Sequence, residues 1–357
     1  MRNFKLIDPT YFDHNEVNQR TISSFIHVAN TISHYKSTDI IYFLPVEGMS
    51  QPFNFLKENP EIRKDLHQFE KILVDNDINL YVVYGSIDNP RLHTNISNFK
   101  ILQWPTFLLQ STKHNLETAY KKPIHEIRKP IEFNKLFMCF NNRPRAHRCA
   151  VVDSLFKLDL FKDGLISWNI MTSEDYSMYD FKHWKEELLI VDKPYVIENQ
   201  DTSYLTDTYL NNKCVINVIN ETYCDGGIPF VTEKTFKSLL IGQPFIAFGN
   251  SNQNKILKEF GFKLYDDVFD YSFDDDGDFY VRVDKFTENI NRVKNEDLNE
   301  LYDRFKEKVE FNCNRCHEII EKDLYIPKIF VDLYKKHPEQ FDNYLREPYI
   351  KEIMKNI

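Results

Sequence analysis

Two strand-to-helix junctions gather the residues that could do chemistry. In one, the run CVINVI from Cys214 reads as a buried strand and the loop NETYCDGGIPF follows it. Thr232 is then placed to cap a helix that opens Glu233-Lys234. Open α/β sheets bind ligands at the carboxyl ends of their strands. The free N–H groups and partial positive charge of a helix N-terminus suit phosphate. Lys234 adds a full charge there, and Glu233 could accept hydrogen bonds from a ribose or sugar hydroxyl; both could equally be surface residues of a helix start. The other junction, LFMCF-NNRPRAHR-CAVVDSL, puts Arg143, Arg145, His147 and Arg148 at its turn. Arginine suits bidentate phosphate contact. Residues 121–148 hold eight Lys or Arg against two acids, net +6 in a chain of net −9. A charge run can be only a solvated loop, but two cationic junctions in one domain favour a diphosphate site.

The backbone around these junctions has an unusual glycine pattern. Only nine of 357 residues are glycine, and six of them (226, 227, 242, 249, 261 and 277) fall between positions 226 and 277. Neither a GxGxxG dinucleotide loop nor a GxxxxGK[ST] phosphate loop can be written anywhere in the chain. Any phosphate must therefore be held by side chains and helix termini. The acidic balance argues against non-specific binding to nucleic acid or to an acidic membrane by the chain as a whole. Hydrophobic residues make up 42%, enough for a sizeable core in about two domains. The N-terminus, MRNFKLIDPTYFD, has no apolar signal-type region, and no apolar run approaches the roughly 18 residues of a membrane span. The expectation is a cytoplasmic protein whose six cysteines are not a disulfide framework.

The elements that must position these residues alternate. Strands are expected at Phe4–Asp8, Ile40–Val46, Leu80–Tyr84 and Phe99–Trp104, with helices over 15–35 and 53–73, the latter interrupted at Asn59-Pro60. Residues 121–135 carry two prolines and read as an interdomain linker. The alternation then restarts. Leu136–Phe140 is a strand, Arg143–Leu158 a helix and Leu165–Trp168 a strand. After the strand from Cys214, a helix carries Phe236, Leu239 and Leu240 on its apolar face; Gly242 ends it and Pro244 opens the strand PFIAFG. From about residue 286 the pattern is helical to the end, with one break at Tyr325-Ile326-Pro327. This order predicts an α/β protein of two tandem doubly wound parallel-sheet domains with a helical C-terminal tail.

The segment VINVINETYCDGGIPFVTEKTFKSLLIGQPFIAFG resembles the donor-binding segment of fucosyltransferase-like and exostosin-like glycosyltransferases of the GT-B fold. FMCFNNRPRAHRCAVVDSL is similar to the preceding strand and helix of that family, where an arginine stands seven residues before a leucine. Similar NRPRAHR and TEKTFKSLLIGQPFIAFG segments occur in glycosyltransferase-like proteins of tailed phages. The resemblance covers roughly residues 135–275, is strongest over 229–262, and does not extend to the N-terminal third.

The resemblance implies two Rossmann-type domains facing a cleft: an acceptor-side domain over 1–125, a nucleotide-sugar domain over 126–330 and a helical tail over 331–357. It implies that Arg148 and Lys234 hold the diphosphate and that Glu233 binds the ribose. Asn220 would lie near the phosphate or donor sugar, and Phe230 at an aromatic position near the base, where the family usually has tyrosine. Arg143 and Arg145 have no firm counterparts. The family is typically metal-independent and needs no cofactor beyond the nucleotide diphosphate sugar, its co-substrate. An inverting transfer also needs a carboxylate base from the N-terminal domain. Glu47, after the strand IIYFLPV, is one candidate and Asp8, ending the first strand, is the other; either could be an ordinary loop acid.

Two further motifs carry less. Cys313-Asn-Arg-Cys316-His317 matches the haem-attachment signature CxxCH, but it stands in a helical stretch where packing is the simpler role. The run from Asp266 to Asp278 holds seven aspartates. An EF-hand register would put Ser272 first and Val283 twelfth, where a bidentate glutamate belongs, so it reads as a surface loop. The expected function is transfer of a sugar from a nucleotide diphosphate sugar to a hydroxyl of a glycan or of a hydroxymethylated base in phage DNA. A non-catalytic nucleotide-sugar-binding relative is the alternative.

Overall fold

The computed structural model describes residues 3–7, 29–44, 60–84, 98–129, 132–141, 145–168, 182–183, 208–222, 224, 229, 231–275, 277–322 and 326–340. It is an α/β protein with two four-stranded parallel sheets and a helical C-terminal region. The chain divides into two compact units. One comprises Met1–Ser111, Gly226–Thr232 and Ile319–Ile357; the other comprises Thr112–Asp225 and Glu233–Glu318.

The first unit is built on β1 (Asn3–Ile7), β2 (Thr38–Leu44), β3 (Ile78–Tyr84) and β4 (Phe99–Gln103), side by side in sequence order. Helix α1 (Pro60–Asp75) joins β2 to β3 and begins on proline, which suits the first helical position because its missing N–H has no partner there. Strands that advance in one direction return by right-handed crossovers over one face. On that face Phe69 of α1 meets Phe99 edge-on, with ring centroids 5.1 Å apart. Register puts Leu6, Ile41 and Tyr81 in line on the opposite face. That face is covered from the far end of the chain. Helix α10 (Lys328–Lys336) lays Phe330 and Leu333 against Phe4, Leu6, Ile41, Tyr81, Val83 and Trp104, and the Trp104 and Phe330 rings lie 4.7 Å apart.

Helix α2 (Pro105–Tyr120) follows β4 and short α3 (Ile124–Ile127) follows it. The stretch read as a linker is therefore partly helical, and a buried arginine follows its short helix. Arg128 donates to the carbonyls of Gly242 at 2.6 Å and Asn211 at 3.2 Å, and stacks over Tyr302. These partners all belong to the second unit.

The second unit holds β5 (Lys135–Asn141), β6 (Gly164–Trp168), β7 (Cys214–Asn220) and β8 (Phe245–Phe248), in the order β6-β5-β7-β8. Helix α4 (Ala146–Lys157) joins β5 to β6, and α6 (Glu233–Ile241) lies between β7 and β8. Short α5 (Thr208–Lys213) leads directly into β7. The order reverses between β5 and β7, so the chain leaves these two strands in opposite directions and right-handed crossovers put α4 and α6 on opposite faces. Helix α4 starts later than the sequence suggests because Pro144 precedes it; Arg145 stands extended at its N-cap.

Helices α7 (Gln253–Glu259), α8 (Phe279–Val293) and α9 (Leu298–Lys322) complete the unit. Ser154 of α4 bonds Thr287 of α8 at 2.8 Å. The acidic run is not simply a surface loop. It contains a 3-10 turn, Tyr271–Asp274, and Asp274 is buried, accepting from the backbone N–H groups of Asn254 and Lys255 at 2.9 and 3.1 Å. Asp278 likewise caps α8 through Tyr280 and Val281. The CxxCH residues lie within α9, where Cys316 is fully buried and the Cys313 thiol donates to the Leu239 carbonyl. Among the described residues no helix is long and apolar enough to cross a membrane.

Candidate anion-binding site

The reversal between β5 and β7 marks a switch point, and open α/β sheets take ligands beside such a point, at the carboxyl ends of the strands. Each strand ends on an asparagine. Asn220 of β7 donates its Nδ2 to Oδ1 of Asn141 of β5 at 2.9 Å, which bridges the ends of the two strands at the switch point. Both side chains are buried. Oδ1 of Asn220 has no hydrogen-bond partner among the described residues.

The next two residues, Glu221 and Thr222, organise the site. Helix α4 reaches them with its N-terminal cations. Arg145 donates to the Thr222 carbonyl, while His147 at 2.8 Å and Arg148 at 3.4 Å both meet the Glu221 carbonyl. Helix α6 reaches them from the other side. Lys234 Nζ donates to Thr222 Oγ1 at 3.1 Å, and Thr235 Oγ1 donates to the Glu221 carboxylate at 2.6 Å. A backbone bond from Glu221 N–H to Phe248 O at 2.8 Å fixes the same residue to β8. Two consecutive residues, through backbone carbonyls on one side and side chains on the other, thus tie two helix N-termini to one spot.

Charge follows from this packing. Arg145, Arg148 and Lys234 bring three positive charges against the carboxylates of Glu221 and Glu233, and the N-terminal dipoles of α4 and α6 add to them. His147 adds none. Burial, then the Arg148 charge beside it, draws its pKa from 6.5 down to about 3. The ring is neutral, so Nε2 carries the proton given to Glu221 and Nδ1 remains an acceptor. The chemistry on offer is therefore anion binding with hydrogen-bond acceptors alongside, as a phosphorylated sugar or nucleoside requires.

Of the residues singled out from sequence, Arg145, Arg148, Asn220, Glu233 and Lys234 come together here. Glu233 is buried and its Oε1 lies 3.0 Å from Lys234 Nζ, so the two form an ion pair at the mouth of α6. Arg143, Phe230, Glu47 and Asp8 lie outside the described residues. Sequence reading passed over Glu221, Thr222 and Asn141. The signal for them was present, since each stands at or just past the carboxyl end of a buried strand. Among the described residues no group of three or more His, Cys, Asp or Glu side chains could hold a metal ion.

Fold and site together define an α/β protein with a cluster of cations at the switch point of a parallel sheet. The chain matches no protein-family model, no curated protein and no solved structure.

Proposed function

We propose that this protein is a glycosyltransferase of GT-B type that transfers a sugar from a nucleotide diphosphate sugar to a hydroxyl acceptor. The observation that carries the reading is the convergence of Arg145, Arg148 and Lys234 on Glu221-Thr222, between two helix N-termini at the switch point. In this reading Arg148 and Lys234 bind the diphosphate. As the glycosidic bond breaks, negative charge grows on the leaving diphosphate, and preorganised cations offset it without reorganisation. The transfer is proposed to be inverting and metal-independent, because the cations and helix dipoles can carry that charge themselves. Glu233 is proposed to accept from the ribose hydroxyls, and Asn220 to meet the phosphate or sugar through its buried Oδ1. The base that takes the acceptor proton is proposed to be Glu47 or Asp8. The acceptor is a glycan or a hydroxymethylated DNA base.

A panel of nucleotide sugars, assayed for release of nucleoside diphosphate with and without acceptor, tests the reading. Turnover that depends on acceptor and drops in the Glu47→Gln or Asp8→Asn variant is expected. Absence of release from every donor in the panel would contradict it.

A further inference from the structure

Gln253, the first residue of α7, is fully buried, and neither its Oε1 nor its Nε2 has a hydrogen-bond partner among the described residues. Its amide lies directly over Gly249, one residue past β8. A Cβ at position 249 would fall 2.0 Å from Gln253 Oε1, so only glycine leaves the amide its room. That corner adjoins the anion site. Phe248, the residue before Gly249, pairs in register with Asn220 and accepts from the Glu221 N–H at 2.8 Å. Arg282 of α8 secures the same corner. Its buried guanidinium donates to the carbonyls of Gly249 and Phe273, each at 2.8 Å, and lies 4.0 Å from the sulfur of Cys224, two residues past Thr222. The carbonyls of Phe248 and Gly249 are thus engaged by Glu221 and Arg282. A buried amide with both ends unmade costs free energy, and folds keep such a group where something else completes it. This one offers a donor and an acceptor side by side, without charge.

We propose that Gln253 reads the uncharged part of the ligand at this site, pairing with a group that donates and accepts together: the edge of a nucleobase or a hydroxyl of the transferred sugar. The inference rests on the reading of the switch point as a nucleotide-sugar site and names what selects the ligand within it. Arginine and lysine hold phosphates, which are the same in every nucleotide sugar. A buried neutral amide discriminates, because a ligand that lacks the matching group leaves it unpaired. Gly249 makes space for that amide, and Arg282 is a positioning residue that fixes Gly249.

Calorimetric titration of the full chain and of Gln253→Met with GDP, UDP, dTDP and ADP, and with their glucose and mannose conjugates, tests this, with urea unfolding run alongside. Methionine keeps the length and removes both polar groups, so the unfolding midpoint should hold or rise. If the amide reads the base, Gln253→Met should bind the preferred diphosphate about tenfold or more weakly and lose the preference among bases. If it reads the sugar, diphosphate affinities should hold while the preferred conjugate loses that factor. A folded variant that binds every ligand as the wild-type protein does, or that loses affinity equally for all of them, overturns the inference while leaving the nucleotide site intact. A midpoint well below wild type does the same, since it would show the amide to be satisfied within the fold. The wild-type protein alone also tests it: affinities for all bases and both sugars within about threefold of one another would overturn it. If the wild-type protein binds no member of the panel, the nucleotide reading itself fails, and the inference fails with it.

Discussion

His147 donates its Nε2 proton to the backbone carbonyl of Glu221 at 2.8 Å, across the switch point of the second sheet. The neighbouring Arg148 reaches the same oxygen. Burial, with the charges of Arg148, Arg145 and Lys234 beside it, keeps this ring neutral, so it adds no fourth positive charge to theirs.

That relationship has a signature in acid. The pKa of His147 is about 3 in the fold against 6.5 for the free side chain, so the unfolded chain binds the extra proton first. Its contribution to stability is fully present above pH 6.5 and is lost as pH falls from there toward 3, at up to about 1.4 kcal/mol per pH unit. His147→Gln keeps an N–H donor and removes the titration. Urea unfolding midpoints between pH 7 and 4.5 should fall less steeply in the variant than in the wild-type protein. Parallel slopes would show that His147 does not titrate as the geometry requires.

Arg128 ties the segment after α3 to the ends of α5 and α6 within the second unit. Replacing it by methionine keeps the bulk but strands the buried carbonyl of Asn211, at about 1–3 kcal/mol for a buried acceptor left unmade, and also releases the half-buried carbonyl of Gly242. A loss of that size in denaturant midpoint is expected. A midpoint within about 0.5 kcal/mol of wild type would mean that this stretch is only a tether.

Phe330 anchors the C-terminal helix on the N-terminal sheet against Trp104. Phe330→Ala should lower stability by about 3–5 kcal/mol, as for other fully buried aromatics, and should increase hydrogen exchange in β1 and β2. Exchange that rises only in α10 would place the helix outside the cooperative unit.

The buried thiols should be inert. Burial raises Cys139 and Cys214 to a pKa of about 12, and Cys316 is pushed well above its usual value. Mass spectrometry after brief iodoacetamide treatment at pH 8 should find these three unmodified in the native protein and alkylated once it is denatured. Modification of Cys316 in the native state would show that α9 opens at the CxxCH segment.

Much of the second unit was legible because its evidence is local. Leu136–Phe140, the run from Cys214 and the helix after Thr232 each carry their own periodicity and stop signals, and the structure places strands or helices there. What sequence reading missed depends on distant partners. Helix α2 was not read because Pro105 looks like the end of a strand when it is in fact the start of a helix. Arg128 looked like part of a linker because its carbonyl partners lie more than 80 residues away. Asp274 looked like one more surface acid, yet the helix terminus it caps stands 20 residues earlier. The site shows the same division: Arg148 and Lys234 are visible as charges at turns, but their meeting at Glu221-Thr222 needs the strand order.

The central claim is that Arg148 and Lys234 form one diphosphate site. Titration calorimetry with a panel of nucleoside diphosphates tests it on the wild-type chain and on Arg148→Ala and Lys234→Ala, with thermal unfolding run alongside to confirm that each variant folds. The expected result is binding of at least one diphosphate by the wild-type protein, weakened about tenfold or more in each folded variant. Folded variants that bind as tightly as wild type, or a wild-type protein that binds none of the panel, would contradict it.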